Sequence, residues 1–156
     1  MPNFVNRMLK DFPKEVDEAN IKAFEALDYS DKTAPGPFGA NSDSNGKNWD
    51  ATSGFKTFVA RGTKFKWVLI RRGPGKPYEL NVVSCILKHS VAAGGGDVIT
   101  AGHGYLKPKT KNTIVLDNDT GHYQTSLKSL NEAKPAWTGL GYTVETQERI
   151  DYKKLF

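Results

Sequence analysis

Cysteine, methionine and histidine are scarce in this 156-residue chain, which has one, two and three of them. No apolar run approaches the ~20 residues that a membrane-spanning helix needs. A single thiol excludes an intramolecular disulfide and a cysteine-built zinc site. That residue, Cys85, sits in the apolar run Val82-Val83-Ser84-Cys85-Ile86-Leu87. A small buried core residue is expected there rather than a nucleophile, because a reactive thiolate needs an accessible, electropositive setting. The opening residues MPNFVNRMLKDFPKEV lack a continuous apolar stretch, so no ordinary cleavable signal peptide is expected. The cytoplasm is then the default compartment, with export by a signal-independent route as the alternative.

Hydrophobic residues at 38% and charged residues at 25% fit a soluble globular chain. The charge is unevenly spread. Residues 1–54 carry six Lys/Arg against nine Asp/Glu, whereas residues 55–156 carry sixteen against eight. A basic body suits an anionic ligand such as a nucleotide or nucleic acid.

Three stretches follow along the chain. In the N-terminal segment, 1–28, residues 14–27 read as an amphipathic helix. Val16, Ala19, Ala23, Phe24 and Leu27 share a face, and Pro13 suits the first turn. Residues 29–54 are rich in Gly, Pro, Ser and Asn and read as a loop too polar for core structure. That loop is either a tether or an ordered cover over the body, and a candidate surface for a protein partner. Trp49 in its middle favours docking. Residues 55–156 read as a β-rich core domain. FKTFVA (55–60) and FKWVLIR (65–71) look like strands, followed by strands near 78–87, 97–101, 105–107, 113–116 and 141–146. A short helix is expected at 126–134, with Pro135 ending it. The fold class is α+β with β dominant: a curved antiparallel sheet or partly closed barrel, with an N-terminal helix and a short helix near the C-terminus.

All three histidines, His89, His103 and His122, fall within 34 residues. Histidine exchanges protons near neutral pH, and two can divide the roles of general acid and base. Lys107, Lys109 and Lys111 are candidates for stabilising a charged transition state. No two histidines have close helical ligand spacing, so no metal is expected, and no cofactor. Gly94-Gly95-Gly96 could cradle a phosphate, but it lacks the Lys-Ser/Thr ending of a P-loop and reads better as a turn. Asp117-Asn118-Asp119 lacks the calcium-loop pattern and reads as an Asx-rich turn.

Lys66-Trp67-Val68-Leu69-Ile70, then His89-Ser90 with Ala93-Gly94-Gly95, then Ala101-Gly102, then Thr120-Gly121-His122-Tyr123 form a recognisable series. It resembles the core of plant IQ-motif-containing calmodulin-binding proteins and similar segments at the C-termini of bacterial toxin- or effector-like proteins. There the pattern runs HSS-x-LAGG, AAG, then SGHY-x-P. The resemblance covers residues 65–142. Val91 replaces the second Ser of HSS, His103 stands where the bacterial version often has Glu, Thr120 replaces Ser, and Thr125 replaces Pro. No IQ motif is present, so calmodulin binding does not carry over. The resemblance implies a site at His89, Ser90, Gly121, His122 and Tyr123.

Two functions from different classes fit these residues. One is a small effector or toxin-type enzyme acting on a nucleotide, a nucleotide-bearing cofactor or nucleic acid, by phosphodiester cleavage or group transfer. His122, His89, Ser90 and Tyr123 would be catalytic, and Gly121, Thr120, His103 and Lys107 would bind substrate. The other is a non-catalytic partner-binding module in which the His and Tyr residues are structural.

Overall fold

The computed structural model describes residues 37–94, 98–120 and 127–147, without the side chains of Ser90, Val91, Leu127 and Lys128. The helix expected at 14–27, the triple glycine beyond Gly94, and Gly121, His122 and Tyr123 lie outside the described residues. Among those described, seven strands form: β1 (Phe38–Asn41), β2 (Asp50–Ala51), β3 (Phe65–Arg71), β4 (Tyr78–Ser84), β5 (Thr100–Leu106), β6 (Thr113–Asp117) and β7 (Thr143–Gln147). Four short helices accompany them: α1 (Phe55–Ala60), α2 (His89–Ala92), α3 (Leu127–Leu130) and α4 (Lys134–Gly139). The strands make one sheet in the order β2-β1-β4-β3-β5-β6-β7, curled into a half-barrel. None of the described helices is long and apolar enough to cross a membrane.

Side chains alternate across a strand, so the sheet has two chemically different faces. Phe65, Trp67 and Leu69 of β3 join Leu80, Val82, Ile114 and Leu116 in the larger core. Phe55, Phe58 and Val59 of α1 and Leu130, Ala136 and Trp137 near the C-terminus fill it. The Trp137 indole lies 5.8 Å from the Phe65 ring and 5.6 Å from the Phe55 ring, centroid to centroid. The opposite face carries a smaller core of Val68, Ile70, Val83 and Ala101, covered by Ala92, Ala93 and Val98. Between them the two cores bury both faces of β3.

Several local expectations change. Residues 55–60 are helical, because Phe55, Phe58 and Val59 are the buried positions and their spacing is that of one helical face, not an alternating strand. The segment 29–54 is not wholly outside the core. Phe38 and Ala40 are buried, β1 pairs along β4, and β2 closes a small hairpin. Its polar residues build the turn between those strands. Asp43 accepts the backbone N–H groups of Asn45 and Lys47 at 3.0 and 2.9 Å and the side-chain amide of Asn48 at 2.8 Å. Trp49 packs from this turn against Gly139 of α4.

The sheet is also not purely antiparallel. β7 runs parallel to β6, with Thr113 opposite Thr143 and Asp117 opposite Gln147. The crossover between them contains α3 and α4. Pro135 does not end a helix but occupies the first turn of α4, where its missing N–H costs nothing. The expected strands at 97–101 and 105–107 merge into β5, which runs through the histidine between them.

Candidate functional site

β5 reads Thr100-Ala101-Gly102-His103-Gly104-Tyr105-Leu106, and alternation separates its glycines from its histidine. Gly104 faces the larger core, where a Cβ would meet Phe65 and Leu116 at 2.9 and 3.0 Å. Gly102 lies under the backbone of Asp117, as β6 ends and crosses over it. A Cβ there would sit 1.6 Å from the Asp117 carbonyl oxygen. His103 projects from the opposite face, and its side chain keeps 15% of its surface exposed.

Lys66 of β3 is the cross-strand partner of His103. On the other side of β5, Asp117 ends β6 beside His103. Its Oδ1 accepts the backbone N–H groups of His103 and Asp119, both at 2.9 Å. The same oxygen is 3.8 Å from Nδ1 of His103, too far for a hydrogen bond. Nδ1 is buried and has no hydrogen-bond partner among the described residues.

His89 reaches this cluster from α2. Asn81, on the same face of β4, donates to the carbonyl of Ala92 at 3.2 Å and holds that helical turn against the sheet. The His89 ring is 2% exposed, and its Nε2 lies 2.7 Å from the Gly102 carbonyl oxygen. A carbonyl only accepts, so Nε2 carries the proton in that bond. The His89 and His103 rings meet edge to face with centroids 5.2 Å apart. Trp67 completes the frame from the other side of the sheet, donating from its indole N–H to the His103 carbonyl at 2.9 Å.

The electrostatics favour a neutral His103. Burial pushes its pKa below the ordinary value, and the Asp117 carboxylate only partly opposes this. Burial likewise lowers Lys66, with Cys85 and Asp119 pulling the other way. Cys85 is not a core residue as expected. β4 ends at Ser84, and the following turn leaves the thiol exposed, with Sγ 3.2 Å from the Lys64 carbonyl oxygen. Partial desolvation nonetheless pushes its pKa up, against the pull of Lys66 and Lys64, and that keeps it a thiol.

The lowered pKa of His103 has a consequence for stability. As pH falls, the unfolded chain takes up the proton first, near pH 6.5, while the folded chain resists. The stability contributed by the neutral ring is therefore complete above that value and lost as pH drops through the folded pKa. Thermal denaturation should show Tm falling below pH 6.5, with a shallower fall in His103→Gln. An identical fall in both proteins would assign the effect to another group.

The described site thus brings together His89 and His103 from the sequence-derived candidates, and adds Lys66 and Asp117, which sequence reasoning passed over. Ser90 follows His89 on α2. Thr120 is buried just beyond β6. Lys107 lies four residues past His103, and its ammonium is paired with Glu145 of β7 at 3.0 Å. No group of three or more His, Cys, Asp or Glu among the described residues could hold a metal ion. The fold and site define a half-barrel with a His–His–Asp–Lys cluster on the face of the sheet that carries the smaller core. No family model matches this chain, and neither does any curated protein or solved structure.

Proposed function

We propose that the chain is a small effector or toxin-type enzyme that acts on a nucleotide, a nucleotide-bearing cofactor or nucleic acid by histidine general acid/base catalysis. The observation that supports this reading is the state of His103: partly exposed, favoured as the neutral base, and with Lys66 across the strand. A neutral imidazole can take a proton from an attacking hydroxyl or water. Lys66 can stabilise negative charge on a phosphoryl group, and Asp117 can steady the imidazolium that forms. The 3.8 Å gap to Asp117 does not argue against this, since catalytic hydrogen bonds are often long before substrate binds. His89 fits a positioning role, through Gly102, better than direct proton transfer. His122 and Tyr123 remain candidates for the second acid or base.

The second reading, a partner-binding module with structural histidines, is favoured by one observation: the buried His89 ring is spent on a backbone carbonyl. Turnover separates the two. The purified chain is incubated with a fluorescent oligoribonucleotide, ATP and NAD, and compared with His103→Gln, His89→Gln and His122→Ala. On the enzyme reading, wild type turns over one of these substrates. His103→Gln and His122→Ala each lose about 10²–10⁴-fold with an unchanged circular dichroism spectrum, while His89→Gln lowers Tm and activity together. Full activity in His103→Gln overturns the role given to His103. Absence of turnover in wild type, with only Tm shifted in the variants, favours the module.

A further inference from the structure

A cleft of about 290 Å³ opens on the face of the sheet opposite His103, where α1, the β5–β6 turn and the residues leading into β7 converge. Its floor is aliphatic, formed by Val59, Leu106 and Leu140, and the Tyr142 ring forms one wall. Lys56 and Lys111 stand at its rim. Among the described residues no acidic one lines it, and no carboxylate forms an ion pair with either lysine. Lys107, on the same turn, shows the contrast, since Glu145 neutralises it. The Tyr142 ring is half-buried with the Lys56 ammonium 6.0 Å from its centroid, and burial pushes the phenol pKa up, so the hydroxyl stays a donor. Asn112 fixes the rim by donating to the Gly141 carbonyl at 3.1 Å, and its own carbonyl accepts the N–H of Thr143 at 2.8 Å.

We propose that this cleft is a binding site for a small phosphate monoester carried on a single flat ring. Two cationic donors with no acid among the described lining residues select an anion. Two ammonium groups match a phosphate dianion better than a carboxylate with one charge. The apolar floor and the tyrosine face have no use for a bare ion, but they offer contact area to a ring. The volume is at the low end for ligand pockets and suits one ring with its headgroup rather than a polymer. The site is separate from the His103 cluster and does not depend on the function proposed for it.

Isothermal titration calorimetry of the full chain with phenyl phosphate, inorganic phosphate and phenol tests the assignment. Phenyl phosphate should bind at least about tenfold more tightly than either fragment, because only it engages rim and floor together. Lys56→Met and Lys111→Met should each weaken it by about tenfold, the loss expected for one charge-assisted contact, and the double variant should bind no better than it binds phenol. Both lysines are exposed, so the variants should keep the wild-type Tm, which is measured alongside. Wild-type affinity in the double variant, equal affinity for inorganic phosphate, or no heat from phenyl phosphate at millimolar concentration would each overturn the proposal.

Discussion

Gly102→Ala is expected to unfold the protein or to leave it barely folded at room temperature. The added methyl would meet only backbone: the Asp117 carbonyl oxygen at 1.6 Å, its carbon at 2.6 Å and the Asn118 Cα at 3.2 Å. No rotamer change can relieve a clash with main chain. Moving β6 away would break the bond that the Asp117 carboxylate accepts from the N–H of His103. Moving β5 would pull the Gly102 carbonyl from His89. A loss above ~4 kcal/mol places the substitution among the exceptional ones, against a total stability of about 5–15 kcal/mol for a typical domain. Urea denaturation followed by tryptophan fluorescence measures it. A midpoint close to wild type would show that β5 and β6 are not in close contact at Gly102.

Trp137→Ala should be the next most damaging change, at about 3–5 kcal/mol. The indole is fully buried and touches Phe55, Phe65 and Tyr142, so its removal leaves a void between α1, α4 and the sheet. The loss belongs to packing rather than hydrogen bonding, because the Trp137 indole N–H has no partner among the described residues. Trp137→Phe should therefore cost less than Trp67→Phe, which also strands the buried end of the bond to the His103 carbonyl. That bond adds about 1 kcal/mol or more to the difference. Equal losses in the two Phe variants, read from the same denaturation curves, would count against this division.

The β-dominant class and the position of β3 were legible because Phe65, Trp67 and Leu69 alternate with Lys66, Val68 and Ile70 in a run rich in aromatic and β-branched residues. Helix α1 was not, because Phe55, Thr57 and Val59 alternate well enough to imitate a strand. Which period applies is decided by the core that Phe55 and Phe58 enter, not by the hexapeptide. β1 escaped for a related reason. Phe38 and Ala40 are isolated apolar residues in a polar stretch, and they become core only because β4 offers them an edge. The site shows the same division. His89 and His103 were conspicuous by scarcity, but their closeness depends on α2 folding back over β3. Lys66 and Asp117 became site residues only through register, and register is a property of strand pairs that no single stretch of sequence carries.

The strand order also bears on how the chain assembles. The centre of the sheet, β4-β3-β5, comes from the middle of the chain, and the outer strands come from its two ends. β3 and β4 are joined by a short turn and can zip locally. β1 must find β4 past the whole of α1 and β3, and β7 must return to β6 around α3 and α4. Loop closure is an entropic cost met before such pairings repay it. Assembly is therefore expected to run outward from the middle. β6, which sets Asp117 beside the histidine of β5, gains its second neighbour only when the last, parallel edge has closed.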